Sequence, residues 1–197
     1  KFQRLIASST ISLPSHQVLL SGSDIIFFEV SLIISTFLCT LVSGFIFTYA
    51  IVVMPGLSKL SDKDFIRAFQ VTDGIIQNNQ PLFMLTWLGS IISILCLILS
   101  SIISVGLHES WLVLFISVSY LLGVQGITIL VHLPLNKNIQ KLVVDETKIQ
   151  SFTEQRVYFE NRWVTFNFLR TFVAICASIS VGICIRIIYI SLIHNKS

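Results

Sequence analysis

Four apolar runs set the pattern of this chain, and the stretches between them carry polar residues at helical spacing. The runs are Ile25 to Met54, Pro81 to Val105, Trp111 to Leu133 and Trp163 to about Ile193. A hydrocarbon core needs about 20 apolar residues at a helical rise of about 1.5 Å, so each run is long enough to cross a bilayer. The predicted fold is all-α: an integral membrane protein with four transmembrane helices in a bundle over residues 25–193, between a polar N-terminal tail of 1–24 and a short tail of 194–197.

Within the first run Ser31, Ser35, Cys39 and Ser43 recur at steps of four. A ridge of small residues on one helix face lets two backbones approach closely in lipid, so this face is expected to be a helix contact. Ala174, Ser178 and Gly182 repeat the spacing in the last run. After Pro55 and Gly56 the pattern changes. Ser61 followed by Asp64 resembles a capping box, and Phe65, Ala68, Phe69 and Thr72 to Ile76 recur opposite Lys63, Arg67 and Asp73. This predicts an amphipathic helix in the interface or over the end of the bundle. Pro81, behind Asn78, Asn79 and Gln80, suits the first turn of the second span.

The third run turns polar on one face as it ends, through Gln125, Thr128 and His132, and Pro134 is expected to interrupt its hydrogen-bond ladder. A second amphipathic loop region follows, helical over Asn136 to Val144 and again from Thr153, from which the fourth span is expected to continue without a break. The segments VVMPGLSKL and LVHLPLNKNIQKL close spans one and three, with Pro134 following Pro55 by 79 positions. They suggest two similar hairpins.

Composition agrees with the pattern and narrows it. A hydrophobic content of 54%, 12% charged residues and a mean hydropathy of +0.85 exclude a soluble globular chain. The net charge of +3 comes from residues flanking membrane segments, which excludes a nucleic-acid face and leaves the lipid bilayer as the expected partner. Lys59, Lys63 and Arg67 in the first loop and Lys137, Lys141, Lys148, Arg156 and Arg162 in the third outnumber Lys1, Arg4 and Lys196 on the other side. By the positive-inside bias both termini face the non-cytoplasmic, or non-matrix, side of a bacterial or organelle inner membrane. The first 23 residues hold Lys1, Arg4, many Ser and Thr and no acid, as either a transit-peptide remnant or a polar tail of no special meaning would.

Candidate chemistry gathers where spans three and four meet the third loop. Arg156, Glu160, Trp163, Asn167 and Arg170 follow one another at steps of four, three, four and three, which lines them along one stripe of a helix. Arg170 lies about two turns inside the span, where an isolated charge costs several kcal/mol unless it pairs or reaches water. One reading is a polar pocket with Arg170 stabilising an anion and His132 accepting a proton, while Asn136, Trp163, Asn167 and Glu160 bind substrate. The other is structural: an interface-anchored Arg170 and Glu160 pair, an aromatic-belt Trp163 and His132 as an end cap. The four cysteines lie in apolar runs without CxxC spacing and read as small packing residues. No metal or other cofactor is expected, because His16, His108, His132 and His194 scatter over both sides.

The PGL end of span one, the Pro-started span two, the HLPLN end of span three and RWVTFNFLRT opening span four resemble the anthrone-oxygenase-like family of small four-span membrane proteins, over roughly Ile25 to Ile190. The specific elements are Pro134 with Asn136, and Trp163 with Asn167 and Arg170. The resemblance implies a cofactor-independent oxygenase that acts on a planar hydrophobic aromatic or quinone-like molecule. Members often carry His in the segment opening span four, where this chain has Phe166 and Asn167, so His132 is the local imidazole. Two other roles fit the same residues: a non-catalytic accessory subunit of a larger membrane complex, contacting neighbouring subunits through its small-residue ridges and loop helices, and a transporter with Glu29 as its buried carboxylate.

Overall fold

All four apolar runs form helices long and apolar enough to cross a membrane. The structure is a computed structural model that describes residues 22–143 and 149–194, with side chains over 23–143 and 152–184. The expectations for the N-terminal tail up to residue 21, for Lys148 and for residues 195–197 lie outside these residues, as does the side chain of His194. The first span is α1 (Gly22–Thr48), which continues through a π-helical stretch (Tyr49–Val53) into α2 (Met54–Leu57). The amphipathic loop helix is α3 (Asp62–Gln77), and the second span is α4 (Pro81–Val105). Span three starts as α5 (Trp111–Tyr120), passes through two π-helical stretches (Leu121–Gly126 and Thr128–His132) and ends as α6 (Leu133–Gln140). Span four belongs to one 46-residue helix, α7 (Ile149–His194).

The caps follow the sequence. The Ser61 Oγ accepts the Asp64 N–H at 3.3 Å and donates to the Asp64 carboxylate at 2.6 Å, so α3 starts where the capping box predicted. Asn79 takes a positive φ of 58°, a conformation Asn tolerates better than most residues, and Gln80 then accepts the Phe83 N–H to start α4 at Pro81. The predicted interruption at Pro134 is absorbed instead. In the turn before it, Leu133 donates to Thr128, five residues back, and Met54 does the same to Tyr49 before Pro55. The wider turn makes room for the proline ring, so each helix runs on past its proline. These two π-helical stretches lie 79 positions apart, as the prolines do. The amphipathic region after span three is carried by the ends of α6 and α7.

Two cores result. In the membrane, α1 packs on α4 and on α7, and its small-residue ridge meets that of α7. Ser35 and Cys39 are buried, and the Ser43 hydroxyl meets that of Ser178 at 3.2 Å. Gly123 of span three lies so close to Val173 that an added Cβ would stand 2.8 Å from its Cγ1. At the loop end a second core joins Tyr49 and Met54 with Phe65, Ile66 and Phe69 of α3 and with Phe159 and Trp163 of α7. Each fully buried side chain of this kind contributes roughly 1.5–3 kcal/mol, which holds α3 against the bundle. Arg156 fixes its approach, donating to the Ser58 and Leu60 carbonyls, to Asp62 and to Glu160 while its guanidinium lies over the Phe65 ring.

Candidate functional site

Between spans one, two and three, under α3 and against α7, lies a cavity of about 600 Å³. Most of its wall is apolar: Leu41, Phe45 and Ile46 from α1, Phe83 and Trp87 from α4, and Phe69 from α3. The polar groups concentrate on one side, where Thr128, His132 and Asn136 of span three stand beside Trp163 and Arg170 of α7 and Asp73 of α3. A cavity of this size and balance fits a small, mostly apolar molecule oriented by a few polar contacts.

Helical geometry decides which residues reach it. Trp163, Asn167 and Arg170 occupy one face of α7, and all three are buried. Arg170 donates from Nε to Asn167 Oδ1 at 2.9 Å and from Nη1 to Thr128 Oγ1 at 3.0 Å, with its Cζ 5.6 Å from the Trp163 ring centre. Asn167 in turn donates to the Ile46 carbonyl, just before the π-helical stretch of span one, at 3.2 Å. Asn167 therefore holds Arg170 in place from behind rather than lining the cavity. Glu160 is also absent from the wall. It pairs with Arg156 at 2.9 Å, one helix turn away and outside the cavity. Its ion pair is with Arg156 rather than with Arg170, which lies ten residues further along the helix.

His132 is 2% exposed, with its ring edge-on to Trp163 at 5.1 Å between centres. Its Nδ1 faces the Ile127 carbonyl at 3.5 Å, while Nε2 is buried with no hydrogen-bond partner. A proton on Nδ1 leaves the Nε2 lone pair available. The indole N–H of Trp87, another residue of the cavity wall, is likewise buried without a partner. Thr128, His132 and Asn136 follow one another at steps of four and all three line the cavity.

Asp73 was not expected here. Placed by the sequence on the charged face of α3, it is only 2% exposed. Its Oδ1 accepts from Asn136 Nδ2 at 2.7 Å, and its Oδ2 accepts from Gln140 and Gln77 at 3.1 and 3.3 Å. Burial pushes its carboxyl above the usual range, and the three amides pull it back in part. The missed signal was its step of four from Phe65 and Phe69, which puts it on the apolar face of α3. Glu29, by contrast, is only half-buried and does not line the cavity. Among the described residues no three His, Cys, Asp or Glu side chains come together as metal ligands would.

The fold and cavity define a four-span membrane protein with a mostly apolar chamber, polar on one side, at the loop end of its bundle. The model of the anthrone oxygenase family matches residues 81–180, and the chain belongs to that family. The matched segment carries His132, Asn136, Trp163, Asn167 and Arg170, whereas α3 and Asp73 precede it. Comparison with curated proteins and with solved structures returned no match.

Proposed function

We propose that the cavity binds a planar, hydrophobic aromatic or quinone-like molecule and that the protein acts on it as a cofactor-independent oxygenase. One observation carries the reading: in a mostly apolar chamber, Arg170 has only neutral partners and the Nε2 of His132 has no hydrogen-bond partner. A buried cation without a carboxylate partner stabilises an oxyanion more strongly than an exposed one, since solvent screens it less. His132 accepts a proton from the carbon or hydroxyl of an anthrone-like substrate, and Arg170 holds the enolate or phenolate oxygen that results. The electron-rich anion supplies electrons to O₂. Overall one CH₂ carbon becomes a carbonyl, O₂ gives one oxygen to it, and the other leaves as water.

Asn136, Trp163 and Asn167 serve this step by orienting the reacting groups. The excess of Lys and Arg in the first and third loops supports an orientation with the cavity end toward the cytoplasm, matrix or stroma and both termini opposite. The test is O₂ uptake by the protein in lipid nanodiscs supplied with anthrone. Uptake with matching quinone absorbance, lost in His132→Gln and Arg170→Met, is the expected result. Wild-type uptake no faster than the nanodisc blank overturns the oxygenase.

A further inference from the structure

We propose that Asp73 is the second polar anchor of the cavity, accepting a hydrogen bond from a ligand hydroxyl while Arg170 holds a carbonyl or deprotonated oxygen of the same molecule. The inference rests on the ligand class proposed above and assigns to Asp73 the contact that holds a hydroxyl of such a ligand.

The geometry of Asp73 carries it. A carboxylate offers about four lone-pair positions. Three are taken, by Asn136, Gln140 and Gln77, and each of these contacts is donated by an amide NH₂. The orientation of Asn136 is fixed independently, because its Oδ1 accepts the Trp163 indole N–H at 3.0 Å and its Nδ2 must then point to Asp73. The carboxylate is thus built as an acceptor with one position left, and it lines the chamber.

Asp73 and Arg170 also stay apart. Opposite charges in a low-dielectric interior attract strongly, yet among the described residues neither makes an ion pair. The Trp163 side chain stands between them, its N–H tied to the amide that holds Asp73 and its face toward Arg170. An acceptor at one station and a cation at the other match a molecule with a donor hydroxyl and an acceptor oxygen. The raised affinity of the Asp73 carboxyl for its proton suits sharing one with a phenolic hydroxyl.

The experiment measures binding of two probes to the whole protein in nanodiscs, 2,6-dihydroxyanthraquinone and unsubstituted anthraquinone, by quenching of the cavity tryptophans Trp87 and Trp163. Wild type is expected to bind the dihydroxy probe at least tenfold more tightly, and Asp73→Asn to bring the ratio within twofold while keeping the affinity for anthraquinone. Equal losses for both probes make Asp73 a wall residue only and overturn the proposal, as does an unchanged ratio. If Asp73→Asn does not fold, infrared difference spectra of wild type decide. A carboxylate band shifted by the dihydroxy probe and not by anthraquinone supports the anchor, and no shift overturns it. Wild type that binds neither probe overturns the ligand class itself, whereas binding of anthraquinone alone leaves that class standing and removes the anchor.

Discussion

Trp163 donates its indole N–H to Asn136 at 3.0 Å, across the contact between spans four and three. This bond sets which way the Asn136 amide faces, and through it the position of the Asp73 carboxylate on a third element. The stability of the loop-end core and the shape of the cavity therefore depend on the same indole.

Replacing Trp163 with Phe keeps most of the apolar volume but leaves the Asn136 oxygen without its donor. A buried acceptor stripped of its partner costs about 1–3 kcal/mol. The thermal midpoint in nanodiscs is expected to fall accordingly, and amide exchange in α3 to rise, because Asn136 no longer holds Asp73 in one orientation.

Arg170 is a buried charge whose partners are neutral, so its desolvation is poorly offset. Arg170→Met removes that cost but leaves the buried Asn167 Oδ1 without its donor, so the thermal midpoint is expected to change little while anthraquinone binding weakens at least tenfold. Arg170→Lys keeps the charge but not the two-pronged geometry toward Asn167 and Thr128, and partial binding is the expected result.

Asp73 gives stability a pH dependence of defined sign. Its folded carboxyl binds a proton more tightly than the usual Asp value of about 3.9. Between that value and its raised one the native state holds more proton than the unfolded state, so stability falls as pH rises through this window and levels off above it. Thermal midpoints taken upward from about pH 4 should show this decline in wild type, and subtracting the Asp73→Asn series should isolate it.

Gly123 sets the distance between spans three and four. Gly123→Ala puts a methyl against Val173, an overpacking that costs typically 1–3 kcal/mol. Val173→Ala added to it should restore most of the lost midpoint, and the double variant measures how far the contact, rather than helix propensity, was responsible.

Much of the architecture was legible because membrane helices are written in plain periodicities. The lengths of the apolar runs, the Ser61 cap, the start at Pro81 and the small-residue faces meeting at Ser43 and Ser178 each follow from local chemistry. The polar stripe of α7 was legible as a stripe, but its members went separate ways. Glu160 turned to Arg156 because the arginine lies one turn away, while Asn167 took a backbone carbonyl of span one and Trp163 reached Asn136.

The sequence by itself determined four apolar helices, one capped loop helix and the shared face of Trp163, Asn167 and Arg170, since each depends on spacing within a single helix. Only the tertiary structure decided that Pro134 would be absorbed by a π-helical turn, that the Nε2 of His132 would be buried without a partner, and that Asp73 would face inward beside Asn136. Those outcomes depend on which helices meet and at what register, which spacing along one segment does not contain.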